Sequence, residues 1–495
     1  MTLALALAFA SGFIALSHEI LWYRVYSYTS QGTADAFALM LCAYLLGLAL
    51  GAAAARVLCR EGARLLRAVS WLLAGSALAM LVPPAVAWLV TRTDSWETSL
   101  PVVLAASALL GAVFPLVNHA VIPPDVRAGR RISYVYLANI LGSVAGSLGT
   151  GFWLLEHWPL ARVALLLACA SLAAAAALAL AQGARGARLA AALAGCLAGA
   201  AVLAALTPVL YGSLYEKLQF RTGYRAGDAF AHLVENKSGV IAVDADGTIY
   251  GGGAYDGGYN TSLANDTNGV VRAYALAGLH AAPRQVLMIG LSSGSWAAAI
   301  AAHPGLEQLT VVEINPGYLS LLPHYPAVAG LLRDPRVRIE IDDGRRWLVR
   351  NAARRFDAIV VNGTLHWRAH ASNLLSAEFV ALVRSRLRAG GLYYFNATGS
   401  DRAARTAGDA FRHVLRLHNC IAASDAPLRF DAERWGRAMR RAAIDGRPVL
   451  AGGGALEQQV LDRIRALLEP EESLRARTAQ APPITDDNMG GEWRR

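Results

Sequence analysis

Seven long apolar stretches in the first 208 residues constrain this chain more than any other feature of its sequence. Each is about 20 residues long, the length that an α-helix needs to cross the hydrocarbon core of a bilayer. More spans follow the first one and no basic segment precedes it, so we do not expect a cleavable signal peptide. We therefore predict a multi-pass helical membrane domain over residues 1–208, in a bacterial-type inner membrane. The predicted spans are residues 2–23, 35–57, 68–91, 99–122, 133–155, 161–182 and 187–208.

Composition supports this interpretation and excludes several classes of protein. Of the 495 residues, 55% are hydrophobic and 17% charged, whereas soluble proteins carry about 25% charged residues. The net charge of +10 is divided between the two halves of the chain, which argues against a nucleic-acid-binding surface. The five cysteines have neither metal-ligand nor disulfide-framework spacing, so we predict no metal site and no disulfides.

The arginines of the short loops predict an orientation. Loops after the second, fourth and sixth spans hold nine arginines, and the alternate loops hold three. Because basic loops stay in the cytoplasm, the bias places the N-terminus there and, with seven spans, the rest of the chain outside. With one span fewer, the polar half would be cytoplasmic. The nine arginines in the loops after the second, fourth and sixth spans are Arg56, Arg60, Arg64, Arg67, Arg127, Arg130, Arg131, Arg185 and Arg188. The three in the alternate loops are Arg24, Arg92 and Arg162.

A few polar side chains lie within or beside the predicted spans, His18 and Glu19 among them. Ionisable groups inside a membrane are candidates for function. Glu19 also stands close to Trp22, Tyr23 and Arg24, which is typical of an anchor at the membrane interface. Both interpretations stay open from the sequence.

The pattern changes after residue 208. Short apolar runs with glycine-rich turns predict a small β unit over residues 209–262. Over residues 263–495 strands and helices alternate, which predicts a doubly wound, largely parallel sheet. The expected strands are 285–289, 309–314, 337–341, 358–361 and 391–395, and the expected helices are 294–303, 317–332, 345–353 and 376–388.

Small and acidic residues follow three of these strands. The first strand leads into a turn from Gly290 to Gly294, the second ends at Glu313, and the third is followed by Asp343. Glycines let a backbone approach a ligand closely. An acidic side chain about 20 residues after such a turn can accept hydrogen bonds from a ribose diol. This order of residues favours a nucleoside pocket at the carboxyl ends of the strands.

These residues, together with motifs spread over most of the chain, resemble the membrane-fused branch of the spermidine synthase (polyamine aminopropyltransferase) family. The resemblance implies a Rossmann-like fold of the class I methyltransferase type. It also implies transfer of a 3-aminopropyl group from decarboxylated S-adenosylmethionine to a polyamine, and a homo-oligomer. The matching motifs are residues 11–24, 45–51, 137–143, 253–258, 356–362, 373–379 and 485–493.

The resemblance assigns candidate residues and also marks departures. The nucleoside pocket maps onto Gly290, Ser293, Gly294, Glu313, Asp343 and Asn362. Ser293 replaces the acidic residue of the family's glycine turn, and Asn362 and Leu365 replace the two carboxylates after the fourth strand. An attacking amine must lose a proton, so a substitute acceptor is needed. The candidates nearby are His366 and Asp256 for catalysis, and Tyr255, Asp266 and His370 for substrate binding.

Three hypotheses follow. The first is a membrane-tethered aminopropyltransferase with a small amine as acceptor. The second is another enzyme that uses an S-adenosyl ligand, such as a methyltransferase or a lyase, which needs fewer carboxylates. The third is a catalytically degenerate synthase-like domain that acts as a membrane sensor, scaffold or transport-associated protein. The missing carboxylates and the predicted orientation favour the third, since S-adenosyl compounds are made in the cytosol.

Overall fold

The structure, a computed structural model of the chain, describes residues 1–59, 65–182, 184–363, 365–368 and 371–493. It divides into two compact units, Met1–Ala242 and Val243–Arg495. Arg60 and Arg64, which contribute to the arginine bias, lie outside the described residues, as does His370. The predicted domain boundaries at residues 208 and 262 stay predictions.

The first unit is built almost entirely of helices. Within the described residues, seven segments are long and apolar enough to cross a membrane, which confirms the predicted number. The helix that begins at Ala128 contains a π-helical stretch, Gly149–Leu154, before its last turn. The helices are α1 Thr2–Thr29, α2 Ala34–Leu58, α3 Leu65–Thr93, α4 Leu100–Gly111, α5 Val113–Val121, α6 Ala128–Leu148, α7 Leu155–His157, α8 Leu160–Ala181, α9 Gly186–Tyr211 and α10 Leu214–Phe220.

Glycines bring two pairs of these helices into backbone contact. A Cβ at Gly142 of α6 would overlap the Phe9 carbonyl of α1, and a Cβ at Gly51 of α2 would overlap the Ala108 carbonyl of α4. Small residues permit such close approach in lipid, where packing rather than water exclusion drives association. The α1–α6 and α2–α4 contacts therefore depend on the absence of side chains at these positions.

Replacement of Gly142 by Ala is expected to lower the free energy of unfolding by about 1–3 kcal/mol, because the added methyl meets backbone that cannot turn away. Gly195 of α9 is the matched control, since its Cβ would meet nothing within 4 Å. Gly195→Ala is expected to be neutral or to stabilise by up to about 1 kcal/mol. Unfolding of the full chain in mixed micelles measures both, and equal effects would contradict the packing argument.

Four short strands lie around the boundary between the units, and the second unit contains a large sheet. The four short strands are β1 His232–Asn236, β2 Gly239–Val243, β3 Thr248–Gly251 and β4 Ala254–Gly258. The division between the units falls within β2, and β3 pairs with β4 in antiparallel fashion. The later strands are β5 Gln285–Ile289, β6 Gln308–Glu313, β7 Val337–Ile341, β8 Phe356–Val361, β9 Leu387–Asn396, β10 His413–Leu417, β11 Cys420–Ser424, β12 Ala443–Ile444, β13 Arg447–Pro448 and β14 Leu468–Glu469.

The large sheet has eight strands in the order β14-β10-β11-β9-β8-β5-β6-β7. The strands from β9 to β7 are all parallel, whereas β11 is antiparallel to both β9 and β10. The chain order reverses between β5 and β8, and ligands bind such sheets at the carboxyl ends around this reversal. The predicted Rossmann-like, methyltransferase-type α/β fold is confirmed.

The helices of this unit alternate with the parallel strands as predicted, with one exception. The helix expected over residues 317–332 is broken, because Pro323 and Pro326 cannot donate backbone hydrogen bonds. The helices are α11 Val271–Tyr274, α12 Leu276–Leu279, α13 Ser295–Ala301, α14 Pro316–Leu321, α15 Pro326–Ala329, α16 Gly344–Arg350, α17 Ala377–Arg386, α18 Asp401–Ala410, α19 Ala432–Met439, α20 Gly453–Leu467 and α21 Glu471–Thr478.

Candidate functional site

A glycine turn joins β5 to α13 at the point where the strand order reverses. Gly290, Ser292 and Gly294 all have positive φ, at 92°, 48° and 76°. At Gly290 a Cβ would also lie 3.1 Å from the Asn362 carbonyl oxygen at the end of β8. Glycine is therefore required at Gly290 both for its backbone angle and for the close approach of β8.

The end of β4 is hydrogen-bonded to this turn. The Ser292 hydroxyl donates to the Asp256 carbonyl, and the Ser295 hydroxyl donates to the Gly258 carbonyl at 2.8 Å. Ser293 is buried, and its hydroxyl accepts the Ser295 N–H at 3.1 Å. The sequence motifs 253–258 and 290–294 thus lie side by side, although the ligand role predicted for Ser293 stays a prediction.

Glu313 ends β6 with its side chain buried beside the glycine turn. One carboxylate oxygen accepts the Leu291 N–H at 2.7 Å, and the other accepts the Asn315 N–H at 2.8 Å. Burial raises the pKa of Glu313 to about 7, an effect that these hydrogen bonds oppose and that nearby Asp256 reinforces. The Ser292 N–H also acts on this carboxylate, and the remaining lone pairs can accept a ribose hydroxyl.

Asp256 is the second carboxyl group beside the turn. Its carboxylate accepts a hydrogen bond from the Tyr318 hydroxyl of α14. Burial raises the pKa of Asp256, while the Tyr318 hydrogen bond and the Arg368 guanidinium lower it. A carboxyl group of raised pKa is a better proton acceptor than an ordinary exposed one.

The predicted residues after β7 and β8 lie at the same edge of the sheet. Asp343 caps α16, because its carboxylate accepts the Arg346 N–H at 2.7 Å. The Asn362 N–H donates to the Ile289 carbonyl at 3.1 Å, which fixes the end of β8 against β5. Gly290, Glu313, Asp343 and Asn362 therefore follow neighbouring parallel strands.

Two exposed isoleucines flank these polar groups. Ile314 follows Glu313 and is 62% exposed, and Ile341 at the end of β7 is 45% exposed. Apolar side chains at the edge of a polar pocket suit the flat face of a nucleobase. The sequence analysis predicts each as the last residue of its strand and gives it no role, because an apolar residue at a strand end does not differ in pattern from one inside the strand.

The remaining predicted residues have varied surroundings. Tyr255 is 51% exposed and its hydroxyl donates to the Asn268 side chain at 3.2 Å. Asp266 accepts the backbone N–H groups of Val270 and Val271, at 2.6 and 3.1 Å, and lies 3.4 Å from Arg463. These contacts give Asp266 a structural role, whatever it contributes to binding.

His366 lies in the segment after β8 that also contains Leu365. Its ring is half-buried, contacts Trp367 edge to face with centroids 5.2 Å apart, and has an Nδ1 without a hydrogen-bond partner among the described residues. Burial lowers the pKa of His366, so the neutral ring, which can accept a proton, is favoured. Within the described ranges, no three His, Cys, Asp or Glu side chains converge as metal ligands.

The end of the chain packs on the segment that follows β8. The Trp493 indole N–H donates to the Ser372 hydroxyl at 3.0 Å. Glu492 is buried, accepts the Ser400 hydroxyl at 2.5 Å and pairs with Arg402 at 3.1 Å. The tail therefore fastens the segment between β8 and α17 to α18.

Replacement of Glu492 by Gln is expected to destabilise the protein by about 1–3 kcal/mol, because the mostly buried Arg402 loses its charged partner. Glu433→Gln is the control, since that side chain is 90% exposed and surface changes of this kind stay within about 0.5 kcal/mol. Thermal unfolding measures both variants. A Glu492→Gln protein as stable as the control would show that the tail does not fasten the segment.

Comparison with known proteins shows what part of this unit is similar to. The model of the spermine/spermidine synthase domain matches residues 275–401. The polyamine aminopropyltransferase of Mycobacterium tuberculosis is 36% identical over 129 residues, which are 25% of this chain and 24% of that protein. Polyamine aminopropyltransferase 2 of Hyperthermus butylicus is 25% identical over 192 residues, 38% of this chain and 62% of that protein. The match thus spans a quarter of the first relative and less than two thirds of the second.

Two solved structures are also similar to parts of this chain. The spermidine synthase of Thermotoga maritima is 17% identical and has a TM-score of 0.34, over 46% of this chain and 84% of that one. Human methyltransferase-like protein 13 is 18% identical with a TM-score of 0.28, over 39% and 89% of the two chains. From the family model and the sequence relatives, we conclude that this chain contains a spermine/spermidine synthase domain, carried by residues 275–401.

Proposed function

We propose that this protein is a membrane-bound aminopropyltransferase that acts on decarboxylated S-adenosylmethionine and a small amine. The observation that carries the proposal is a pair of carboxyl groups on either side of the glycine turn, the buried Glu313 and the half-buried Asp256. One is suited to hold a ribose and the other to accept a proton. The seven long apolar helices support attachment to a bilayer.

The nucleoside would lie across the carboxyl ends of β5, β6 and β7. The Gly290–Gly294 turn leaves room for the sulfonium end, and Glu313 would accept hydrogen bonds from the ribose diol. Asp343 and Asn362 would face the adenine, with Ile314 against one side of the ring. This arrangement holds the reacting carbon in a fixed position, which lowers the entropic cost of the reaction.

In the reaction, the amine nitrogen attacks the methylene carbon of the aminopropyl group that is bonded to sulfur. A carbon–nitrogen bond forms as the carbon–sulfur bond breaks, and neutral methylthioadenosine leaves with the electron pair. The amine must give up one proton, which the Asp256 carboxylate would accept. His366 is the second candidate acceptor, and Tyr255, Asp266 and His370 are candidates for holding the amine.

Two features of the site count against a diamine as the substrate that receives the aminopropyl group. Asn362 and Leu365 stand where the resembling family carries carboxylates, and the Arg368 guanidinium lies near enough to Asp256 to lower its pKa. Because like charges repel, the Arg368 guanidinium beside Asp256, the proposed proton acceptor, disfavours binding of a diamine that carries two positive charges. The second candidate is therefore an S-adenosyl-ligand protein with a neutral acceptor, or a sensor that binds the nucleoside without turnover.

Release of methylthioadenosine by the full chain in lipid nanodiscs tests these alternatives. Decarboxylated S-adenosylmethionine with putrescine or n-butylamine is expected to give methylthioadenosine together with the aminopropylated amine. Turnover of S-adenosylmethionine itself would favour a methyltransferase or lyase. Methylthioadenosine binding without turnover of any amine between pH 6 and pH 9 would overturn the enzyme proposal and leave the sensor.

The side of the membrane occupied by the synthase domain bears directly on this function. We propose, from the arginine bias and seven spans, that residues after 208 lie outside the cytoplasm. This orientation counts against the transferase and favours the second candidate, because S-adenosyl compounds are made in the cytosol. Alkaline phosphatase and green fluorescent protein fused after Arg495 report the two sides. An active phosphatase fusion supports the proposal. A fluorescent fusion overturns it and places the domain with the cytosolic donor.

A further inference from the structure

A group of polar and aromatic side chains lies halfway along the first two helices. His18 of α1 is 0% exposed and Tyr44 of α2 is 2% exposed. At 1.5 Å per residue, each lies about 15 Å from the nearer end of its helix. Both side chains therefore lie well inside their helices and not at a helix end.

The polar atoms of these two residues are unsatisfied. Neither ring nitrogen of His18 nor the Tyr44 hydroxyl has a hydrogen-bond partner among the described residues. Buried polar groups are almost always hydrogen-bonded, and lipid supplies no partner. Neighbouring Ser17 shows the usual situation, since its hydroxyl accepts from Thr150 at 2.8 Å and donates to the Gly146 carbonyl at 3.3 Å. The unpartnered atoms point to a ligand.

Aromatic rings connect the two unsatisfied groups. Trp22 stacks on His18 with ring centroids 6.1 Å apart, and meets Tyr44 edge to face at 6.0 Å. Its indole N–H is already used, because it donates to the Ala79 carbonyl of α3 at 3.1 Å. Trp22 therefore adds an electron-rich ring face to the group and no free polar atom.

An acidic side chain adjoins the group. Glu19 follows His18, is half-buried, and lies near enough to Tyr44 to act on it electrostatically. In the described part of the seven long apolar segments, Asp35, Glu97 and Glu156 lie at segment ends, whereas Glu19 and Glu216 do not. A carboxylate inside such a segment needs a cation or a proton.

We propose that His18, Glu19 and Tyr44 form an intramembrane binding site for the primary ammonium group of a small amine. An ammonium carries one positive charge and three N–H donors. The unprotonated His18 nitrogen, the Tyr44 oxygen and a Glu19 carboxylate oxygen supply three acceptors for those donors. The ring of Trp22, which contacts both His18 and Tyr44, attracts the same charge. This site lies in the helical unit and does not depend on the proposed function of the synthase domain.

Binding of radiolabelled n-butylamine to the full chain in nanodiscs tests this site. We expect saturable binding that weakens at least tenfold in Tyr44→Phe and in Glu19→Gln. Tyr134→Phe and Glu97→Gln are the matched controls, because Tyr134 is 51% exposed and Glu97 lies at a helix start. Both controls are expected to bind the amine as the unmodified chain does.

Two results would overturn the proposal: no saturable binding, or unchanged affinity in Tyr44→Phe. Tyr44→Phe removes one unpartnered hydroxyl and keeps the ring, so it decides the matter even where Glu19→Gln fails to fold. The variant Asp256→Asn distinguishes amine binding in the helical unit from amine binding in the synthase domain. Amine binding that is lost in Asp256→Asn and kept in Tyr44→Phe would belong to the synthase domain alone, and methylthioadenosine release reports that domain separately.

Discussion

Replacement of Glu313 by Gln is expected to weaken methylthioadenosine binding at least a hundredfold. The carboxylate already accepts two backbone N–H groups, and the ribose diol would add two further hydrogen bonds to a charged acceptor. Such bonds are worth about 1.5–3 kcal/mol each, and a hundredfold change corresponds to about 2.8 kcal/mol. The amide end of Gln turns one acceptor into a donor, so it also opposes a backbone N–H.

Titration calorimetry on the full chain measures this effect. Glu307→Gln is the control, since that carboxylate is 53% exposed and contacts Arg284 and the Gln285 amide at the surface. Its affinity for methylthioadenosine is expected to match that of the unmodified chain. A Glu313→Gln protein that binds the nucleoside with the original affinity would remove Glu313 from the pocket.

The pKa of Glu313 adds a pH dependence to the same prediction. Burial raises this pKa from 4.5 in the unfolded chain to about 7 in the fold. The protonated side chain therefore contributes stability that is complete below pH 4.5 and lost as the pH rises through 7, about 3 kcal/mol in total. Nucleoside binding has the opposite sign, because only the carboxylate accepts both ribose hydrogen bonds. Affinity should rise between pH 6 and pH 8, and this rise should be absent in Glu313→Gln.

The second large effect is expected at Asp256. Asp256→Asn should lower the rate of methylthioadenosine release by about 10²–10⁴, the range that a general base supplies. Nucleoside affinity should change little, since the Asp256 backbone carbonyl still accepts the Ser292 hydroxyl. Asp409→Asn is the control, because Asp409 lies on α18 in a surface ion pair with Arg405. Unchanged turnover in Asp256→Asn would show that Asp256 is not the proton acceptor, and His366 would then be the candidate for that role.

Tyr318→Phe distinguishes a proton acceptor from a merely structural carboxylate. Loss of the Tyr318 hydroxyl removes a hydrogen bond that lowers the pKa of Asp256. The acid limb of the pH–rate profile should therefore move to higher pH. A structural role predicts lower stability with an unmoved profile.

The sequence predicts the core of this fold well, for a physical reason. The strands β5 and β7 agree with their predicted bounds to the residue, since each is a short apolar or alternating run ended by Gly290 or by Asp342. The antiparallel pair β10 and β11 is absent from the prediction, because Arg416, His418 and Asn419 interrupt its apolar pattern.

The candidate site is predictable only where its residues follow strands. Glu313 and Asp343 come directly from that pattern. Tyr318 does not, because it meets Asp256 across 62 residues of sequence and nothing local marks the contact. Ser293 is predicted correctly as part of the turn, but its hydroxyl accepts the backbone N–H of Ser295. The motif does not indicate this contact.

The backbone contacts at Gly142 and Gly51 have a consequence for motion in the helical unit. Helices that touch through their backbones leave little room to slide or rotate against one another. His18 belongs to the α1–α6 pair and Tyr44 to the α2–α4 pair. An ammonium held by both residues would therefore join two closely packed helix pairs, and the contacts at Gly142 and Gly51 would limit how far either helix can shift to admit it.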